Sequence, residues 1–386
     1  VKVLHVIPSL SQSHGGPTAA LALIERSLTA QGVTVESATT DDDGAGRRNG
    51  KPRGEPLQEN GVVHWYFRKA SDFYKASPGL ALWLAREARH YDLLHIHALF
   101  SFSTSAAAHA AHRAGVPYIV RPLGTLDQYG IMQRRRRLKA ISMKWVEGPI
   151  LRAAAAVHFT SEAEAMQARA CGIAFKEAIV PLAVEAPMPW TDAGTSPFAG
   201  LRGSPCLLFL SRLDPKKNLE GLLDAVALLN AGAASSLRLL VAGGGSPEYV
   251  GGLKARAEAL GISGQVIWAG HLDGDRKAAA FAAADVFVLP SHSENFGIAA
   301  AEAMARGLPC VLGQGVAISE EVVRAQAGVA VNVDAASIAD ALRRIIGDKK
   351  ALVRMSANAR RLAQEQFSMQ AMGLRLKQLY SDVLSR

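Results

Sequence analysis

The stretch at residues 287–302, FVLPSHSENFGIAAAE, decides how the rest of the chain is read. A short apolar run ends at Leu289, a polar loop runs from Pro290 to Asn295, and Gly297 opens an Ala-rich segment. That pattern is strand, loop and helix start. The first N–H groups of a helix lack intrahelical partners and carry partial positive charge, so such a loop suits a polyhydroxylated or phosphorylated ligand. Glu294 sits in the loop and Glu302 one or two turns into the helix, so both carboxylates can face one cleft. From spacing alone, a buried turn with a solvated Glu294 and a helix-face Glu302 explains the stretch equally well.

The segment Glu294-Asn-Phe-Gly-Ile-Ala-Ala-Ala-Glu302 closely resembles the E-x7-E motif of retaining glycosyltransferases of the GT-B fold, family four. The resemblance covers nearly the full chain and is more specific in its second half. It implies an α/β protein in which two Rossmann-like doubly wound domains face each other across a cleft.

Outside this motif, bulk properties narrow the choice. At 386 residues, 49% of them hydrophobic, the chain is too long for one ordinary core and has material for two. Cys171, Cys206 and Cys310 are scattered, without metal-ligand spacing, which argues against a disulfide framework or zinc site and for a reducing compartment. Residues 1–8, VKVLHVIP, enter directly into a strand pattern with no leader-like segment, and nothing approaches the ~18 uninterrupted apolar residues of a spanning helix. The expectation is a cytoplasmic, soluble protein. A net charge of +9 points to an anionic partner: a nucleotide, an anionic membrane or nucleic acid.

Strand and helix patterns alternate from the start. The run at 3–8 leads through a loop to Gly15-Gly16 and Pro17, which opens a helix ended by Gly32. The glycine pair can bring backbone N–H groups close to a phosphate or sugar. Residues 41–60, DDDGAGRRNGKPRGEPLQEN, lack apolar periodicity and read as a mobile surface loop. Further strands are expected at 62–67, 93–97, 118–121, 155–159 and 178–181. The Pro-, Gly- and Ser-rich text after Ala186 reads as a linker. A second set of strands then appears in LLFLS, LRLLVAGG, QVIWAG, ADVFVLP, PCVLG and AGVAVNV. The expected domains are 1–186, acceptor-binding; 187–205, linker; 206–368, binding a nucleotide-sugar; and 369–386, a last helix packing back on the first domain.

Individual residues follow. Arg212 and Lys217 flank Pro215 between a strand end and a helix start, where two cations can hold a diphosphate and stabilise its leaving charge without metal. In the resembling family the matching Arg and Lys hold the nucleotide diphosphate. Gly244 lies in a strand-end glycine turn that is no P-loop, and the resemblance places it beside the nucleoside. His271, after another strand, borders the base or is an ordinary exposed polar residue. The resemblance further implies that Glu302 accepts from ribose hydroxyls, while Glu294 and N–H groups near Asn295, Phe296 and Gly297 hold the donor sugar. The catalytic set is then Arg212, Lys217 and Glu294, with Gly15 and Gly16 added to the donor side. Substitution on the same face, with the departing diphosphate deprotonating the acceptor, is the family reading. No cofactor or metal is expected.

In the first domain the match is looser. Many relatives carry His in a segment like P-H-G-x-L-D, where this chain has Pro122-Leu123-Gly124-Thr125-Leu126-Asp127. Leu123 cannot hydrogen-bond hydroxyls. His97, Arg121 and Asp127 are acceptor-side candidates by position. Arg134, Arg135, Arg136 and Arg137 precede an apolar stripe of Leu138, Ile141, Trp145 and Val146 at helical spacing. A core-facing stripe explains the apolar residues but not the Arg run. An anionic inner leaflet explains the run, with Trp145 at the interface and a lipid-linked glycan as acceptor. The rivals are a GT-B sugar-nucleotide epimerase and a basic nucleic-acid-binding protein, the latter disfavoured by the lack of interleaved aromatics.

Overall fold

The computed structural model describes residues 1–11, 16–44, 46–72, 74–126, 136–187, 196–201, 203–230 and 237–386, with the side chains of 136–138 outside the description. Gly15, Asp127, Arg134 and Arg135 therefore lie outside the described residues, as do the side chains of Arg136 and Arg137. The chain forms two compact units, Val1–Ala183 with Met369–Arg386, and Val184–Ser368.

In the first unit, eight strands make one sheet: β1 (Lys2–Ser9), β2 (Thr34–Thr40), β3 (Pro56–Glu59), β4 (Val62–Phe67), β5 (Leu93–His97), β6 (Tyr118–Arg121), β7 (Ala156–Phe159) and β8 (Glu177–Ile179). Their order is β3-β4-β2-β1-β5-β6-β7-β8, parallel except for the β3–β4 pair. Alternation along the strands gives the two faces different chemistry. Leu4, Val6, Leu94, Ile96, Val120 and Val157 bury one face with helices Pro78–Glu87 and Phe102–Ala114. The other face carries His5, His95, His97, Arg121 and His158, all buried. The helices Gly16–Ala30 and Met369–Leu384 pack on each other, and Tyr380 from the latter bonds His95 Nδ1 at 2.8 Å.

The histidines bond one another in part, and His5 Nε2 and His97 Nδ1 stay buried without a hydrogen-bond partner among the described residues. His5 Nδ1 meets His97 Nε2 at 2.8 Å, His158 Nδ1 meets His95 Nε2 at 3.3 Å, and His158 Nε2 donates to the Val180 carbonyl at 2.9 Å. Burial, reinforced by the nearby Arg121 charge, lowers the pKa of His5 and of His158 to about 3.

Most of the described residues in 41–60 are exposed, as expected of a surface segment, but its start is not. Asp41 and Asp42 are buried. Asp41 accepts from Arg53 Nε at 2.9 Å and from the Lys69 N–H at 2.8 Å, while Asp42 pairs with Lys69 and, at 2.6 Å, with Lys75. The last residues of the stretch form β3. Charged side chains tie the start of this segment to Arg53, Lys69 and Lys75, so apolar periodicity had nothing to report. The linker expectation changes too: within 187–205, Phe198 and Leu201 are buried in the second unit, and 188–195 lie outside the described residues.

The second unit is an all-parallel sheet of β9 (Cys206–Leu210), β10 (Arg238–Ala242), β11 (Val266–Gly270), β12 (Val286–Leu289), β13 (Cys310–Gly313) and β14 (Gly328–Val331). Its order, β11-β10-β9-β12-β13-β14, is the Rossmann order, with the reversal between β9 and β12. Strands buried on both faces need continuous apolar runs, which CLLFL and VFVL supply.

The histidine layer generates a pH prediction. Imidazoles at about pKa 3 when folded and near 6.5 when unfolded bind more protons in the unfolded chain between those values. The stability they permit is complete above about pH 6.5 and is lost as pH falls toward about 3. Urea midpoints followed by tryptophan fluorescence should fall between about pH 7 and pH 5, and His158→Gln should flatten that fall. An identical pH slope in the variant would contradict this.

Candidate active site

Both sides of the β9–β12 reversal carry charged loops, and local geometry sets each. After β9, the Ser211 N–H donates to the Ala242 carbonyl at 3.1 Å and the Leu213 N–H to that of Gly244 at 2.8 Å. Asp214 caps the single turn Pro215–Lys217 by accepting from the Lys216 N–H at 3.0 Å. Asn218 is left-handed at φ 55°, and its side chain donates to the Val333 carbonyl at 2.7 Å. The helix Leu219–Asn230 follows. This turn holds Lys217 buried, and its Nζ pairs with Glu294. Arg212 is exposed on the same loop and makes no ion pair among the described residues.

The loop after β12 is fastened on two sides. The His292 N–H donates to the Lys216 carbonyl at 2.9 Å, the Glu294 N–H to Gly315 at 2.9 Å, and the Ala317 N–H to Glu294 at 3.0 Å. Gly297, at φ 95°, turns the chain into the helix Ile298–Ala305, whose start has no side-chain cap. A left-handed residue here favours glycine, and a Cβ would also press on Val316 at 3.0 Å. The uncapped N–H groups and the helix dipole leave a place for an acceptor-rich group. Phe296 turns its side chain into the core, edge-on to Phe367 at 5.5 Å, so only its backbone is available to a ligand. Asn295 is exposed.

Glu302 lies two turns further on and pairs with Lys277 Nζ at 2.7 Å. Lys277 comes from the helix Gly274–Ala283 and was absent from the sequence candidates, since nothing in its local spacing signals a contact between two helices. His271 is exposed after β11. In the nearby glycine turn the constrained residue is Gly243, at φ 145°, where a Cβ would overlap the Ser211 carbonyl. Gly244 faces open space.

The first-unit candidates have a different fate. Gly16 is the first residue of its helix. His97 and Arg121 are buried in the histidine layer, not presented to a ligand. Burial lowers the Arg121 pKa to about 10, against the opposing effect of Glu164. Leu123 is half-buried at φ 59°. Adjacent strands bring nitrogens of His5, His95 and His97 within 4.8 Å of one another, a clustering that spacing along the chain could not show. The buried Arg121 charge beside them works against a cation.

Two family models match the chain: the glycosyl transferase 4-like domain over residues 15–183, and glycosyl transferases group 1 over 199–362. The D-inositol 3-phosphate glycosyltransferase of Corynebacterium efficiens is 33% identical over 181 residues, covering 45% of this chain and 42% of that protein. The glycogen synthase of Mycobacterium tuberculosis (strain H37Rv) is 32% identical over 193 residues, 49% of this chain and 46% of its own. The matched segments thus span less than half of these relatives. Among solved structures, sucrose-phosphate synthase from Thermosynechococcus elongatus superposes with a TM-score of 0.77 at 20% identity, covering 100% of this chain and 99% of its own. The Anabaena HepE protein in complex with UDP-glucose gives 0.74 at 19%, with 99% of each chain covered. The paired domain models, together with two Rossmann-like sheets matched along the whole chain, make this protein a member of the GT-B glycosyltransferases of family-four type.

Proposed function

We propose that the protein is a retaining, metal-independent glycosyltransferase that moves a sugar from a nucleotide diphosphate sugar to a hydroxyl of a lipid-linked glycan. The observation that carries the reading is the Lys217–Glu294 pair beside the uncapped helix start at the strand-order reversal, where open α/β sheets bind ligands. A structural neighbour held in complex with UDP-glucose and a related GDP-mannose-dependent mannosyltransferase support a nucleotide-sugar donor.

The chemistry assigns each group a task. Lys217 and Arg212 take the diphosphate and stabilise the charge that grows on it as the glycosidic bond breaks. In the absence of donor, Glu294 satisfies Lys217; with donor bound, phosphate replaces the carboxylate, and Glu294 turns its acceptor oxygens to the sugar hydroxyls. Glu302, held by Lys277, accepts from the ribose hydroxyls. The departing diphosphate receives the acceptor's proton from the same face, so the anomeric configuration is kept.

The acceptor end of the reaction belongs at a membrane surface. Ile141 and Trp145 are 59% and 70% exposed, so this part of the apolar stripe does not face the core. They adjoin the Arg run, which an anionic leaflet would attract at roughly 1 kcal/mol per basic residue. No helix among the described residues is long and apolar enough to cross a membrane, so the association is peripheral in this reading.

Lys217→Ala and Arg212→Ala should each lower transfer on the order of a hundredfold, from ~3 kcal/mol of lost charge stabilisation, with far-UV circular dichroism unchanged. Transfer should persist in EDTA, and proton NMR of the first product from an α-linked donor should show an α anomer. Near-normal rates in both variants would remove the assigned roles, strict dependence on a divalent metal would remove the metal-free mechanism, and a β product would remove retention. In co-sedimentation, binding to liposomes should require anionic lipid, fall with salt and weaken when Arg134, Arg135, Arg136 and Arg137 become Ser. Equal binding to neutral vesicles would contradict the membrane reading.

A further inference from the structure

Lys277 stands at the fourth residue of the helix Gly274–Ala283, where its N–H donates to the Asp273 carbonyl at 3.0 Å and closes the first turn. Glu302 stands in the next helix along the chain, Ile298–Ala305. Lys277 Nζ lies 2.7 Å from each of the two Glu302 carboxylate oxygens. Among the described residues, no other side chain hydrogen-bonds that carboxylate.

The pair is fixed from below by a second contact between the same two segments. Phe281 lies four residues after Lys277 and Arg306 four after Glu302, so each shares a helix face with its predecessor. The Arg306 guanidinium sits over the buried Phe281 ring at 4.5 Å, and its Nη1 donates to the Glu302 carbonyl at 3.1 Å. Above this seam the ion pair keeps an open edge: the Lys277 side chain is 27% exposed and that of Glu302 21%. A ligand can therefore reach the carboxylate without breaking the pair.

A carboxylate offers about four lone-pair positions. The ammonium takes one on each oxygen, which leaves one on each for a pair of neighbouring hydroxyls. Without the lysine, a part-exposed glutamate turns about its side-chain bonds and has to be immobilised whenever a nucleoside binds. An unpaired carboxylate would also repel the diphosphate of the same ligand. The ribose is neutral and brings no charge to displace the ammonium, so this pair persists in the complex, unlike Lys217 and Glu294, where phosphate takes the place of the carboxylate.

We infer that Lys277 is a positioning residue that holds Glu302 toward both ribose hydroxyls and thereby makes the site select a ribonucleoside diphosphate over its 2′-deoxy form. A site built to accept from a hydroxyl rejects the analogue that lacks it, and the rejection is sharpest where the acceptor cannot turn away to another partner. The inference rests on the sugar-nucleotide reading of this site and deepens it by assigning a residue to the choice of pentose.

The test measures binding apart from turnover. UDP, GDP and ADP are titrated calorimetrically into the full chain, each beside its 2′-deoxy counterpart. At least one ribonucleotide should bind, about tenfold or more tighter than its deoxy form. Lys277→Met and Lys277→Gln should each weaken the ribonucleotide by about tenfold and the deoxy form by no more than about twofold, so that the preference nearly disappears. In a Glu302→Ala background the same Lys277 substitutions should change ribonucleotide affinity by no more than about twofold, because no carboxylate remains to be held. Thermal melting checks that each variant folds. Equal loss for both forms would make Lys277 a phosphate ligand or a packing residue, and an unchanged preference or additive losses with Glu302→Ala would deny that it acts through Glu302; each result overturns the inference and leaves the sugar-nucleotide reading standing. Equal affinity of the unaltered chain for the two forms overturns it as well. Binding of none of the nucleotides would remove the sugar-nucleotide reading itself, and the inference with it.

Discussion

The ion pair between Lys217 and Glu294 is the interaction on which the candidate site depends. It joins the loops after β9 and β12, the two strands that flank the reversal in strand order, and it places a cation and a carboxylate beside a helix start with no cap. Each partner is held from its own side: Lys217 by the Asp214-capped turn, Glu294 by backbone bonds to Gly315 and Ala317. Removing one partner from a largely desolvated pair leaves the other charge exposed to its desolvation cost. A bound diphosphate and sugar can replace both halves at once, which makes the pair a preorganised stand-in for the donor.

The first unit solves a different packing problem. One face of its sheet is ordinary hydrocarbon, whereas the other is a layer of imidazoles that hydrogen-bond each other, the Tyr380 hydroxyl and a backbone carbonyl. Such a layer is tolerable in the interior only while the rings stay neutral. It also accounts for His97 and Arg121, which position alone nominated for the acceptor and which the fold uses internally.

Much of the second unit was legible because parallel strands covered on both faces must be written as unbroken apolar runs, and β9, β12 and β13 are. The E-x7-E segment was legible for a related reason: strand, glycine and Ala-rich helix are each local signals. What escaped was non-local. Lys277 reaches Glu302 from another helix, His5 meets His95 and His97 only because β1 and β5 are neighbours, and the buried aspartates at 41 and 42 find Arg53, Lys69 and Lys75 through pairing that has no period. The side chain of Phe296 points inward, a direction that its place in the motif did not reveal.

Binding of a sugar nucleotide through Lys217 is the central claim, and thermal melting tests it directly. Against UDP-, GDP-, ADP- and dTDP-sugars, the account predicts that at least one donor raises the melting temperature of the unaltered chain by a few degrees, since a ligand at ~100 times its Kd adds about 2.7 kcal/mol. That rise should disappear in Lys217→Met. No shift with any of the four, or an equal shift in the variant, would contradict the account.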